Sequence, residues 1–265
     1  MRIVTWNINS VRLRLPLVLQ MIEALQPDVV CLQEIKCQNA EFPAAALEKA
    51  GFPHQAVNGI KGLHGVATIA REPFAGTDVR GFCGKEDGRH IMTRLADGTE
   101  LHNYYIPSGG DVPDPVENDK FQHKLDFVAE LADYWGGRKP EAGLKAISVG
   151  DFNIAPLETD VWSHKQMLKV ISHTPVEVDG LNGVQAAICW HDAVRHFVPA
   201  EQKLYSWWSY RARDWSASDR GRRLDHIWVT QPLKPSLRAA GIHREARGWE
   251  KPSDHVPVWI DLDLG

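Results

Sequence analysis

Short apolar runs that stop abruptly at an acid or an amide recur along this chain. Residues 2 to 8 alternate and are rich in β-branched side chains, which predicts a first strand that carries Asn7 and Asn9 to its far end. Ser10 then has the character of a helix N-cap, and Leu15, Leu19, Ile22 and Leu25 follow at helical spacing. Pro16 is tolerable only near the start of that helix, and Gln26-Pro27-Asp28 closes it. Residues 29 to 32 form the next buried run and lead straight into Gln33-Glu34. The pattern returns at residues 145 to 149. That run ends at Gly150, and Asp151 and Asn153 emerge on one side because strand side chains alternate with period 2.

Between these runs, strands are expected at residues 66–70, 76–82, 90–95 and 100–106, spaced by Gly, Pro and Asp as antiparallel hairpins are, with Asp97-Gly98 as a two-residue turn. The last of them ends in Tyr104-Tyr105-Ile106-Pro107, before a Gly-rich loop. Phe121, Leu125, Val128, Leu131 and Trp135 make an amphipathic helix stopped by Gly136-Gly137. Helical periods appear around residues 161–171 and 184–194, and strands are expected at 205–210, 224–229 and 256–260. Such a mixture points to an α/β fold with two sheets face to face and helices outside. With 265 residues, 43% of them apolar and aromatic, we expect one domain spanning residues 1–265.

No stretch approaches the ~18 apolar residues of a membrane span, and the first residues enter a strand pattern without a signal peptide, so no membrane partner and a cytoplasmic address are expected. Cys31, Cys37, Cys83 and Cys189 have neither a Cys-x-x-Cys pair nor zinc spacing, which fits a reducing compartment. The net charge of −4 does not advertise a polyanion partner. Residues 211–223 are locally basic, with Arg211, Arg213, Arg220, Arg222 and Arg223 against Asp214 and Asp219, and the aromatic residues beside them raise the prospect of nucleic acid.

Seven positions at strand ends therefore carry chemistry: Asn7, Glu34, Tyr105, Asp151, Asn153, Asp225 and the pair Asp254-His255. Two packed sheets bring such ends together along one edge. Hard oxygen ligands without sulfur favour Mg²⁺ or Mn²⁺ over zinc, and Glu34 and Asp254 supply the one or two carboxylates that magnesium takes. His255, with Asp225 available to orient it, suits holding or protonating a phosphoryl oxygen. Asp151 can activate water and Asn153 can position it.

In order, Trp6-Asn7-Ile8-Asn9, Leu32-Gln33-Glu34-Ile35-Lys36, Asn103-Tyr104-Tyr105-Ile106-Pro107, Gly150-Asp151-Phe152-Asn153-Ile154, Arg223-Leu224-Asp225 and Ser253-Asp254-His255-Val256-Pro257 closely resemble the motifs of the exonuclease III family. That family lies in the endonuclease/exonuclease/phosphatase superfamily. The resemblance covers essentially the whole chain. It implies a four-layered α/β sandwich of DNase I-like type, with two mainly antiparallel sheets inside. It also implies a monomer that cleaves double-stranded DNA with Mg²⁺, for which Mn²⁺ can substitute. Cleavage is expected 5′ to abasic sites and 3′ to 5′ at duplex ends, with 3′-phosphatase activity among the reactions implied.

Carried across by motif, Glu34 is the principal metal ligand with Asn7 and Asp254 around the ion, and Asp151, Asn153 and His255 border it. Asp151 is the base, Asn153 the positioner of water and Tyr105 a phosphate-side hydrogen-bonding group. His255, oriented by Asp225, contacts the scissile phosphate. Ser206-Trp207-Trp208-Ser209-Tyr210-Arg211 resembles the family's DNA-facing aromatic loop. Trp207 is then the expected wall of a pocket for a flipped abasic sugar, with Trp208 in the core. Arg211, Arg220, Arg223 and Arg89 are the expected DNA contacts. A phosphatase of the same superfamily would use nearly the same acids, but the Trp-Trp and arginine loop argues against it. A non-catalytic DNA-binding module would lack at least one of Glu34, Asp151 and His255.

Overall fold

The computed structural model describes residues 1–138 and 143–264. In chain order the strands are β1 (Arg2–Asn7), β2 (Val29–Gln33), β3 (His54–Asn58), β4 (Val66–Ala70), β5 (Gly76–Asp78), β6 (His90–Arg94) and β7 (Glu100–Tyr105). They continue with β8 (Ala146–Asp151), β9 (His191–Asp192), β10 (Trp207–Trp208), β11 (Gly221–Arg222), β12 (Asp225–Val229), β13 (Leu237–Ile242) and β14 (Val258–Leu262). The helices are α1 (Leu15–Leu25), α2 (Ala44–Lys49), α3 (Asp119–Gly137), α4 (His164–Met167), α5 (Pro175–Ala187) and α6 (Trp215–Ser218).

Two six-stranded sheets form, ordered β13-β14-β1-β2-β4-β3 and β5-β6-β7-β8-β12-β9. Each has one parallel pair near its centre, β1 with β2 and β7 with β8, and is otherwise antiparallel. Read from opposite ends, the two orders match strand for strand: β1 corresponds to β8, β2 to β7 and β14 to β12. The chemistry-bearing strand ends thus occupy equivalent places in the two sheets.

Period-2 alternation makes the four layers. The odd-numbered residues Ile3, Val29, Cys31, Leu101, Ile147, Val149 and Ile227 on β1, β2, β7, β8 and β12, with the even-numbered Val258 and Ile260 on β14, form the apolar layer between the sheets. Their neighbours Val4, Trp6, Val30 and Leu32 face outward and pack with Leu17, Val18, Met21 and Ile22 of α1. On the other sheet Tyr104, Ala146 and Trp228 pack against Phe127, Val128, Leu131 and Trp135 of α3 and Leu181 and Val184 of α5. This is the expected sandwich with helices outside.

The two sheets do not divide the chain at its middle. One is built from the first 70 residues together with β13 and β14, so the chain leaves it, makes the other sheet and returns.

Several local expectations need correction. Ser10 does not cap α1: the residue before the helix is Arg14, no side-chain cap is made, and Ser10 lies in a left-handed turn at φ 86°. Pro16 does sit in the first turn. Residues 161–171 supply only the short α4, and the second helix lies earlier than its apolar period suggested, ending at Ala187. Thr174 and Glu177 close a capping box with Pro175 at its start, a stronger signal than the apolar residues that follow. The strand expected over 205–210 is reduced to Trp207–Trp208, paired with Gly221–Arg222 in a ribbon outside both sheets.

Candidate active site

Asn7, Tyr105, Asp151 and Asp225 occupy the inward-facing positions at the strand ends where the apolar layer between the sheets stops. Their placement follows from register: Tyr105 pairs with Asp151 across β7 and β8, Asp151 with Asp225 across β8 and β12, and Asn7 with Gln33 across β1 and β2. Gly150 makes this close approach possible. It has φ 138°, and a Cβ there would lie 1.9 Å from the Tyr104 carbonyl oxygen.

Glu34 and Asn153 lie just beyond the strands and are aimed by the backbone instead. Both are left-handed, at φ 48° and 54°. For a glutamate that conformation costs about 1–3 kcal/mol, the kind of strain retained where a side chain must point one way.

The resulting network is dense. Asn7 Nδ2 donates to Glu34 Oε1 at 2.9 Å and to Asp151 Oδ2 at 2.8 Å, bridging the two sheets. Tyr105 donates its hydroxyl to Glu34 Oε1 at 2.8 Å, and Lys36 Nζ lies 2.8 Å from Glu34 Oε2. Asp151 Oδ1 accepts from the Asn153 backbone N–H at 2.9 Å, and Oδ2 accepts from Asn153 Nδ2 at 3.1 Å. His255 Nδ1 lies 2.8 Å from Asp225 Oδ2, an oxygen that also accepts from Ser206 Oγ at 2.6 Å, and His255 Nε2 lies 3.6 Å from Asp151 Oδ2. Asp254 accepts from Asn9 Nδ2 at 3.2 Å and from Trp207 Nε1 at 2.9 Å.

Electrostatics separates these groups. Burial lifts Asp151 above the ordinary carboxylate range; His255 opposes the shift and Asp225 adds to it. Burial pushes the other way at Glu34 too, but Lys36 with the hydrogen bonds from Asn7, Lys36 and Tyr105 outweighs it and holds Glu34 low. Burial disfavours an imidazolium at His255, yet the Asp225 and Asp151 carboxylates overcome it and raise His255. Burial, then Glu34 and Asp151, raises the Tyr105 phenol, so it acts as a neutral hydrogen-bond donor. One acid near neutrality beside another held ionised, with a cationic histidine, is the asymmetry that acid–base chemistry on a phosphate requires.

A cavity of about 740 Å³ opens over this network. Glu34, Tyr105, Asn153, Asp254 and His255 are among the residues that line it, while Asn7, Asp151 and Asp225 are buried. Trp207, Arg211, Arg220 and Arg222 line the same cavity, and Trp207 joins the two groups through its hydrogen bond to Asp254. Trp208 is buried in the outer core, so the two tryptophans divide as alternation suggests.

Two of the arginines expected to touch DNA are placed elsewhere. Arg223 is buried, ion-paired through Nε with Asp160 at 2.8 Å and through Nη1 with Asp192 at 2.7 Å, and its guanidinium braces the fold. Arg89 is buried against the Tyr105 ring, paired with Asp87 and donating to the Tyr105 carbonyl at 3.2 Å; it supports Tyr105 and does not line the cavity.

Two supporting lysines escaped notice in the sequence. Lys36 neutralises Glu34, and a lysine two residues past a strand end carries no recognisable signal. Lys124 is buried in α3, paired with Glu177, and donates to the Asn153 carbonyl at 2.8 Å. A lysine on the apolar stripe of a helix was the available clue to it.

The sequence matches the endonuclease/exonuclease/phosphatase family across residues 4–255. This chain belongs to that family. It is 32% identical to exodeoxyribonuclease III of Haemophilus influenzae, over 99% of this chain and all of that one. It is 28% identical to a DNA-(apurinic or apyrimidinic site) endonuclease of Dictyostelium discoideum, over all of this chain and 71% of that one. Among solved structures, an AP endonuclease from Archaeoglobus fulgidus superposes with a TM-score of 0.91 at 28% identity, both chains fully covered. The 3′ phosphatase NExo from Neisseria bound to a product DNA hairpin superposes with a TM-score of 0.90 at 30% identity, again with both chains fully covered. Both sheets and the strand ends on which the site is built belong to the shared fold of this family.

The donor set suits a hard divalent cation. Glu34, Asp151, Asp225 and Asp254 bring more negative charge than Lys36 and His255 offset, and the remaining donors are amide and phenol oxygens. Asp151, Asp225 and His255 offer ligand atoms within 4.8 Å of one another. Asp225 and His255 are already spent on each other, however, and the carboxylates of the site that line the cavity are Glu34 and Asp254.

Proposed function

We propose that this chain is a divalent-metal-dependent DNA repair nuclease, acting as one cytoplasmic, monomeric domain over residues 1–265. It would hydrolyse phosphodiesters of double-stranded DNA 5′ to abasic sites and 3′ to 5′ at duplex ends. The observation that carries this reading is one cavity lined both by carboxylates and a cationic histidine and by a tryptophan and arginines. The DNA substrates named for the relatives support the same reading.

Glu34 would hold Mg²⁺ or Mn²⁺, with Asp254, Asn7 Oδ1 and Asn153 Oδ1 as the other oxygen donors within reach of that rim. When bound, the ion supplies positive charge to a phosphoryl oxygen.

The rest of the chemistry belongs to side chains. Asp151 takes the proton of the attacking water at Oδ2, the oxygen facing His255; its elevated pKa makes it a stronger base than an ordinary carboxylate. Asn153, anchored to the Ile106 carbonyl at 2.9 Å and to Asp151, holds the geometry of that oxygen and offers Oδ1 to the water. His255 presents Nε2 to the scissile phosphate while Asp225 fixes its ring through Nδ1, so positive charge is aimed where negative charge develops. Trp207 provides the wall for a flipped abasic sugar, and Arg211 and Arg220 neutralise flanking phosphates. Arg223 and Arg89 have no part in DNA contact.

The direct test is cleavage of duplex DNA in Mg²⁺ and in excess EDTA. Chelation is expected to abolish cleavage and added Mg²⁺ to restore it. Undiminished activity in EDTA refutes the metal assignment.

A further inference from the structure

Arg222 and Arg223 are adjacent, and strand alternation sends them in opposite directions. Arg223 goes inward to Asp160 and Asp192. Arg222 goes to the cavity, where its guanidinium lies 4.8 Å from the Trp207 ring and Nη1 donates to the Ile171 carbonyl at 3.1 Å and to Ser172 Oγ at 3.0 Å. Its Nε is buried without a hydrogen-bond partner. The carboxylate whose field reaches it is Glu177. Glu177 is already committed, ion-paired with Lys124 and accepting from Ser172 N at 2.9 and 3.0 Å, Thr174 N at 3.1 Å and Thr174 Oγ1 at 2.7 Å. Burial lowers Arg222 only to about 10, so it stays charged at neutral pH. A partly buried cation on the cavity wall, held by neutral acceptors and with one buried donor unused, is incomplete without an anion.

Trp207 shows where that anion would sit. Its backbone pairs with Arg222 on one side and with His255 on the other, so Arg222 and His255 stand two strand spacings apart, on the order of 10 Å between backbones. Their side chains border the same cavity from either side of the Trp207 ring. Two successive phosphates flanking one sugar can bridge that span.

We propose that Arg222 forms a second phosphate subsite, which takes the phosphate on the 3′ side of the sugar whose 5′ phosphate is cut. The assignment rests on reading the cleft as a phosphodiesterase site. It makes Arg222 a specificity residue that selects a nucleotide carrying phosphate on both sides.

Thymidine 5′-monophosphate and thymidine 3′,5′-bisphosphate provide the test. Both are titrated calorimetrically with Mg²⁺ present, in an Asp151→Asn background that suppresses turnover. The bisphosphate is expected to bind about tenfold tighter or more, the contribution of a charge-assisted contact. Adding Arg222→Leu should shrink that advantage to about threefold or less without weakening the monophosphate, while Arg213→Ala, an exposed arginine of the same basic run, leaves it intact. Arg222→Gln, which keeps a donor for Ile171 and Ser172 but loses the charge, serves if the leucine variant does not fold. An advantage that survives both Arg222 substitutions, one that is lost equally in Arg213→Ala, or no preference for the bisphosphate overturns the proposal.

Two duplexes identify the source of the phosphate. A neutral methylphosphonate on the 3′ side of the cut slows the unmodified chain but not Arg222→Leu if the subsite takes the backbone diester. A terminal 3′-phosphate accelerates only the unmodified chain if it takes the monoester. Failure of the nuclease reading shows separately, as duplex DNA that the unmodified chain does not cut.

Discussion

Asp225→Asn isolates the contribution of the buried carboxylate behind His255. Asp225 Oδ2 is shared between His255 Nδ1 at 2.8 Å and Ser206 Oγ at 2.6 Å, and Ser206 Oγ in turn accepts from the backbone N–H groups of Leu224 and Asp225 at 3.0 Å. Ser206 therefore donates to Asp225 and fixes which oxygen points at the imidazole. Asparagine has nearly the same shape, so the β12 backbone and the pairing with Asp151 should persist. The buried negative charge that outweighs desolvation at His255 is lost. A hydrogen bond to a charged group contributes about 1.5–3 kcal/mol, which corresponds to a fall in kcat of about 10- to 150-fold if His255 acts as a cation on the phosphate. KM for a duplex should change by less than about threefold, because Asp225 is buried beneath the cavity and touches no substrate. Steady-state cleavage of a fluorescent duplex gives both constants, and circular dichroism confirms folding. A folded variant with kcat within about threefold of the parent would refute the role given to the Asp225–His255 pair.

Three further outcomes follow from other parts of the structure. Arg220→Ala or Arg211→Ala should flatten the salt dependence of duplex binding by about one unit or less, whereas Arg223→Ala should leave the slope unchanged and lower the melting temperature, because its charge is spent on Asp160 and Asp192. Trp207→Ala should reduce incision at abasic sites more than shortening of undamaged ends; equal losses would trace its effect to the hydrogen bond it gives Asp254 and remove the pocket assignment. Gly150→Ala would put a methyl group 1.9 Å from the Tyr104 carbonyl oxygen and should cost about 3 kcal/mol or more, a fall of roughly 6–12 °C in Tm by calorimetry, while a shift under about 2 °C would show that β7 and β8 can separate.

The site was more legible in the sequence than the fold around it. Each of Asn7, Glu34, Tyr105, Asp151 and Asp225 stands where an apolar run meets a polar residue, and burial on both faces of a strand makes that boundary sharp. The Trp207–Trp208 division was readable for the same reason, since alternation forces one ring in and one out.

Charge was not readable in this way. Arg222 and Arg223 look alike in a basic run, and what separates them is Asp160 and Asp192, which only tertiary structure brings to one of the two. The half-buried β3 and β13 were missed because their burial is intermediate at most positions, so the apolar signal is weak. Ser10 misled because a cap-type residue also suits a left-handed turn.

One cavity is proposed both to cut DNA through Asp151 and to recognise an abasic lesion through Trp207 and the arginines beside it. Incision of a duplex carrying a single abasic analogue, measured beside an undamaged blunt duplex in Mg²⁺ for the unmodified chain and Asp151→Asn, tests it most directly. A cut 5′ to the analogue and 3′ to 5′ shortening of the blunt duplex are expected, both slowed about 10²-fold or more by Asp151→Asn with little change in duplex affinity. Near-normal turnover in the variant, or no cleavage of either duplex by the unmodified chain, would contradict it.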